Sequence, residues 1–135
     1  MKCLSAWKFR FIVLGAASGA AASTVLGQAD LVSRGSAASP SDTSRLAGPV
    51  SLADDGANLY VVDRDLGRIV SYALPADASG APSTTIYGAA GGLSVAGPAG
   101  VVMEPTPFFT SRMYIADTNN DRLVILGSVS RLIGQ

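Results

Sequence analysis

Histidine is absent from this sequence, and cysteine occurs only once, as Cys3. Without histidine there is no Ser-His-Asp triad, no imidazole general base and no imidazole metal ligand. A single cysteine excludes an internal disulfide and a thiolate cluster for zinc. Lysine occurs only at Lys2 and Lys8, and together with Arg10 these crowd into the first ten residues. Beyond Arg10 stand seven arginines against ten carboxylates. That mildly acidic balance lacks the concentrated basic face a nucleic-acid binder needs. Aromatics are few, at 7% of residues, whereas 48% are hydrophobic, too many for a disordered chain. The 135 residues suffice for one small domain.

The start of the chain has the grammar of an export signal. A basic stretch ends at Arg10, an uncharged apolar run covers residues 11–22, and small residues follow at Ala20, Ala21, Ala22 and Ser23. The run is short for a membrane span, which needs about 20 residues. Cleavage after Ala22 or Ser23 is expected, giving a secreted or periplasmic protein. Membrane attachment would arise only through an uncleaved signal segment, residues 1–23. Cys3 precedes the apolar run and is not placed as a lipid acceptor.

What remains repeats itself. Gly48-Pro49-Val50-Ser51-Leu52-Ala53 is echoed by Gly97-Pro98-Ala99-Gly100-Val101-Val102. Tyr60, Asp63 and Arg68 recur at one constant offset as Tyr114, Asp117 and Arg122. A third element recurs as Val25-Leu26-Gly27-Gln28, Ile86-Tyr87-Gly88 and Leu132-Ile133-Gly134-Gln135. Each piece is short, apolar and bounded by turn residues, the pattern of buried strands. Residues 59–62 and 113–116 are apolar at successive positions, so they predict central strands covered on both faces. Pro49 and Pro98 sit where a strand begins, a position that tolerates proline. Strands are expected at 49–53, 58–63, 68–74 and 83–88, then at 98–103, 112–117, 122–127 and 130–134. A further outer strand is expected at 24–28. A four-stranded unit that recurs is the pattern of propeller blades.

The motif resembles the NHL-repeat family, whose unit runs Pro-x-Gly-Val, a short turn, an aliphatic or Tyr-Val-Ala-Asp strand, an Asn-rich turn and Arg-aliphatic. The second copy carries Pro98, Gly100, Val101, Tyr114, Ile115, Ala116, Asp117, Asn119, Asn120 and Arg122. The first keeps Pro49, Leu59, Tyr60, Val61, Asp63 and Arg68, but has Ser51 for the glycine and 64–66 for the Asn-rich turn. The resemblance implies an all-β fold: two four-stranded antiparallel blades of an incomplete, six-bladed-like NHL propeller, preceded by a signal helix. The implied divisions are 1–23 signal, 24–48 outer strand plus flexible connector, 49–88 first blade and 89–135 second blade. Two blades leave both lateral faces bare, so a fragment of a longer propeller is expected, the alternative being self-association through those faces.

Turn chemistry accounts for the repeat positions Pro49, Tyr60, Asp63, Arg68, Pro98, Tyr114, Asp117 and Arg122 without catalysis. The aspartates are expected to cap the hairpin turns, and the arginines to meet those carboxylates or neighbouring carbonyls. Residues 29–47 and 75–83 are expected as exposed, mobile loops. An insertion at 104–112 carries Phe108 and Phe109, a candidate contact patch. Asp117-Thr118-Asn119-Asn120-Asp121 lacks the glycine and distal glutamate of a calcium loop. The glycines of 88–100 lack the Lys-Ser/Thr of a phosphate loop. Ser94 is not in a nucleophile elbow. No cofactor, metal or catalytic residue is therefore expected. The leading expectation is a non-catalytic exported scaffold that binds a protein or glycan. The alternative is part of a propeller enzyme, a lyase or lactonase-like hydrolase, with its catalytic residues in blades not present here.

Overall fold

A computed structural model describes residues 21–76, 78–83, 85–88, 94–105 and 111–127. Residues 1–20, the candidate patch at Phe108 and Phe109, and the strand expected at 130–134 lie outside the described residues; residues 21–23 are irregular rather than helical.

The fold is all-β, with two antiparallel sheets. The first has four strands in sequence order: β1 (Pro49–Asp54), β2 (Asn58–Asp63), β3 (Arg68–Ala73) and β4 (Thr85–Gly88). The second has three described strands: β5 (Pro98–Pro105), β6 (Ser111–Asp117) and β7 (Arg122–Gly127). Register repeats with the sequence. Asp63 pairs with Arg68 and Tyr60 with Ser71, just as Asp117 pairs with Arg122 and Tyr114 with Ile125. Both inner strands carry an irregularity just after the proline, at Pro49/Ser51 and Pro98/Gly100.

The tight links between the second and third strands are single 3-10 turns, Arg64–Leu66 and Thr118–Asn120. Each closes on a left-handed residue, Gly67 at φ 58° and Asp121 at φ 49°. Glycine has no Cβ to oppose that conformation, and aspartate is among the residues that tolerate it. At Gly67 space adds a second constraint, because a Cβ there would lie 2.9 Å from the Val95 carbonyl oxygen.

Alternation gives each sheet two faces. The front face of the first sheet carries Ala53, Tyr60, Val62 and Ile69. It packs on the back face of the second, which carries Val101, Met113 and Ile115, with Val95 from the linker. Val62, Ile69 and Ile115 are completely buried there. Tyr60 and Tyr87 meet in the same core at a tilted 6.5 Å ring separation. A second cluster, Val61, Val70 and Tyr72, lies on the back face of the first sheet, covered by Leu26 and Leu46.

The structure departs from four expectations. Residues 24–28 form irregular chain and bends, not an outer strand. Their glycine explains why: Gly27 has φ 76°, and a Cβ there would fall 2.5 Å from Leu46 Cγ. The connector 29–47 is not a free loop. Its backbone is tied through Ala37 N–H to Leu46 O and Leu46 N–H to Gly27 O, and Leu46 is held in the core. The insertion near 104–112 partly lengthens the hairpin, with β5 reaching Pro105 and β6 starting at Ser111. The front face of β6 is also more open than expected, with Ala116 exposed and Tyr114 half-buried.

Candidate functional site: the repeated clamp and the groove between turns

The Asp–Arg pair of each repeat is a clamp on the segment that enters the inner strand. Asp63 is completely buried; its Oδ1 accepts from the backbone N–H groups of Ala47 (3.0 Å) and Gly48 (2.6 Å). Its Oδ2 accepts from Arg68 Nε at 2.8 Å. The Arg68 guanidinium, also fully buried, then donates to the carbonyls of Pro40, Asp42 and Arg45. The second copy repeats the geometry. Asp117 Oδ1 accepts from Ala96 N–H at 2.6 Å, and Oδ2 from Arg122 Nε at 2.7 Å. Arg122 donates onward to the Ser94 carbonyl at 2.6 Å.

The expectation that these aspartates cap their own hairpin turns is thereby corrected. Neither makes a side-chain cap to the 3-10 turn that follows it. The unpaired N–H groups that need an acceptor are those of the incoming linker, which lies on the same face as the carboxylate. Asn120 links clamp and turn through its side chain, its amide donating to Asp117 Oδ2 at 2.9 Å. Burial alone would raise the Asp117 carboxyl. The Ala96 N–H, the Asn120 amide and the Arg122 guanidinium outweigh it and hold the group below the usual carboxylate range.

The copies differ in cover. Arg68 is wrapped by the connector, whereas the Arg122 side chain is 51% exposed. The tyrosines Tyr60 and Tyr114 share a different role, each donating its hydroxyl to a carboxylate near the far end of the inner strand. Tyr60 donates to Asp55 Oδ2 at 2.8 Å, and Tyr114 to Glu104 Oε2. Burial, then the hydrogen bond and charge of Asp55, push Tyr60 up to about 12. Pro49 is exposed at its strand start, whereas Pro98 is buried at its own.

The stacking also makes something the sequence did not flag. The two 3-10 turns come side by side and enclose a polar groove of about 430 Å³. Arg64, Asp65 and Gly67 line one wall, and Gly97, Ala99, Thr118 and Asn119 the other. Gly97 is required there: at φ 53°, its Cβ would meet the Asn119 side chain at 2.6 Å. Among the described residues no group of three or more His, Cys, Asp or Glu side chains is placed to hold a metal ion. Asp63, Arg68 and Asp117 are buried and engaged by internal hydrogen bonds, and none of the four clamp residues lines the groove, so the clamps position it rather than act in it. Neither known family models nor characterised proteins match this chain.

Proposed function

We propose that this chain is an exported, non-catalytic scaffold of NHL-propeller type that binds a protein or glycan at the turn end of its stacked sheets. The observation carrying the reading is the repeated clamp. It fixes both inner strands in one register, so that the two turns meet around a polar groove with donors and acceptors on both walls. Arg64 and Asn119 offer several N–H donors, and Asp65 and Thr118 offer acceptors, a set suited to hydroxyls or backbone amides. Binding sites on loops held by a rigid sheet scaffold are a common arrangement.

The test is a binding screen of the purified protein against an immobilised glycan library and against exported proteins of the same cell, repeated with Arg64→Ala and Asn119→Ala. A ligand lost in both variants supports the reading. A ligand indifferent to both, or turnover of ester or lactone substrates that these substitutions abolish, would overturn it.

A further inference from the structure

The contact between the two sheets has a direction. Within the chain, the inner strand β5 lies across β1 and β2, and Val101 of β5 is buried against the front face of the first sheet. That front face is built from Ala53, Tyr60, Val62, Ile69 and Ser71. In the second sheet the same repeat positions are Val102, Tyr114, Ala116, Leu123 and Ile125. Where Ile69 and Ser71 are 0% and 1% exposed, Leu123 and Ile125 are 60% and 57% exposed, and Val102 is 62% exposed. A Cβ placed on Gly100, in the same face, would meet no atom within 4 Å. No described residue covers this surface.

The opposite end of the stack is half-finished in a matching way. On the back face of the first sheet, Leu26 and Leu46 cover β2 and β3 at Val61, Val70 and Tyr72. They leave β1 bare: Val50 is 43% and Leu52 66% exposed. By register, Leu52 is the counterpart of Val101, since Leu52 pairs with Val61 and Val101 with Ile115. Strand β1, left open at the back, is therefore the counterpart of the strand that makes the internal contact.

We propose that the front face of the second sheet is the docking surface for β1 of another copy of this chain, with Leu52 taking the place that Val101 holds internally. The interface is heterologous, so one copy's front meets the next copy's back, and association continues as a ring or an open row. It does not rest on the groove as a ligand site, and Arg64→Ala leaves it intact.

Sedimentation velocity of the full protein across a wide concentration range reads the association. Leu52→Asp and Val102→Asp replace exposed apolar side chains, and unchanged far-UV circular dichroism would confirm that each variant folds. Each variant alone is expected to weaken association by about tenfold or more. Mixed, they restore one sound interface per pair, because the first variant keeps its front and the second its back. The mixture should give a one-to-one heterodimer and nothing larger. Four results would overturn the proposal: a wild type monomeric throughout, loss of association in Val102→Asp but not Leu52→Asp, a mixture that stays monomeric, or association that survives both variants.

Discussion

The two clamps share sequence and geometry, yet removing their carboxylates should cost very different amounts. In Asp63→Ala, the fully buried Arg68 loses the carboxylate it is paired with, and the N–H groups of Ala47 and Gly48 lose their acceptor. Stripping one partner from a buried ion pair costs about 3–5 kcal/mol. Each stranded N–H adds about 1–3 kcal/mol where water cannot reach it. A small domain is stable by only about 5–15 kcal/mol in total, so this variant should be largely unfolded or barely stable. In Asp117→Ala the stranded cation is Arg122, whose side chain is half exposed and can take water. The remaining losses are the acceptor for Ala96 N–H and the Asn120 contact. About 1–3 kcal/mol is expected there. Urea unfolding followed by far-UV circular dichroism reads both, with the shift in midpoint at constant slope giving the difference. Equal costs, or a larger cost at Asp117, would refute the claim that burial of the arginine sets the scale.

Other outcomes follow from the same geometry. Ile69→Ala should cost about 2–5 kcal/mol, while its repeat counterpart Leu123→Ala, exposed in the single copy, should stay within about 0.5 kcal/mol at protein concentrations too low for association; matching urea midpoint shifts there would sink the face assignment. The Asp117 carboxyl is depressed in the folded state, so at acid pH the unfolded chain binds more protons. Its contribution is complete above the ordinary aspartate range and is lost as pH falls through the depressed value; Asp117→Asn should flatten that part of the acid limb. Tyr60 is shifted the other way, to about 12. Stability held below the ordinary tyrosine range should then be lost as pH rises toward that value, and a tyrosinate absorbance titration should show a late component missing from Tyr60→Phe. Asp121→Gly should stabilise by about 0.5–1 kcal/mol, because Asp121 holds a left-handed backbone that glycine adopts freely; a lower thermal midpoint would contradict this.

The strands were the most legible part of the sequence, because each is a short apolar run punctuated by turn residues. Strand β2 was expected at 58–63 and β7 at 122–127, which are their observed limits. The Asp–Arg pairing was legible as well, since it follows from one residue ending a strand and the other opening its neighbour. What the carboxylate caps was not. Ala47 and Gly48 lie 16 and 15 residues from Asp63 in sequence, and only the three-dimensional path of the linker brings their N–H groups to it. The anchoring of the connector is illegible for a related reason. Its composition is polar and small, which reads as loop, while its anchoring depends on two leucines and on carbonyls that carry no sequence signature. The groove combines residues from two turns 54 positions apart, Arg64 and Thr118, and local patterning carries no information about such a meeting.

The connector explains why one repeat is better buried than the other. A sheet in this stack has two apolar faces, and each needs a neighbour. The second sheet supplies the front cover of the first. For the back cover no sheet is described, and residues 26–46 stand in for one with two leucines over the middle strands. Main-chain carbonyls do the rest, since Arg68 gathers Pro40, Asp42 and Arg45. A strand in that place would spend its carbonyls on its own ladder. Irregular chain leaves them free for a guanidinium, which can use its five donors only where several acceptors converge. Gly27 makes the required bend, and Gln28 holds the next one by bonding both backbone groups of Gly35. The segment thus completes the clamp because it is not a strand. Gly27→Ala should therefore loosen the connector and expose Arg68, lowering stability and speeding amide exchange at Ala47 and Gly48 before that of β6. Exchange quickening at β6 first, with Ala47 and Gly48 still protected, would show that the clamp does not depend on this bend.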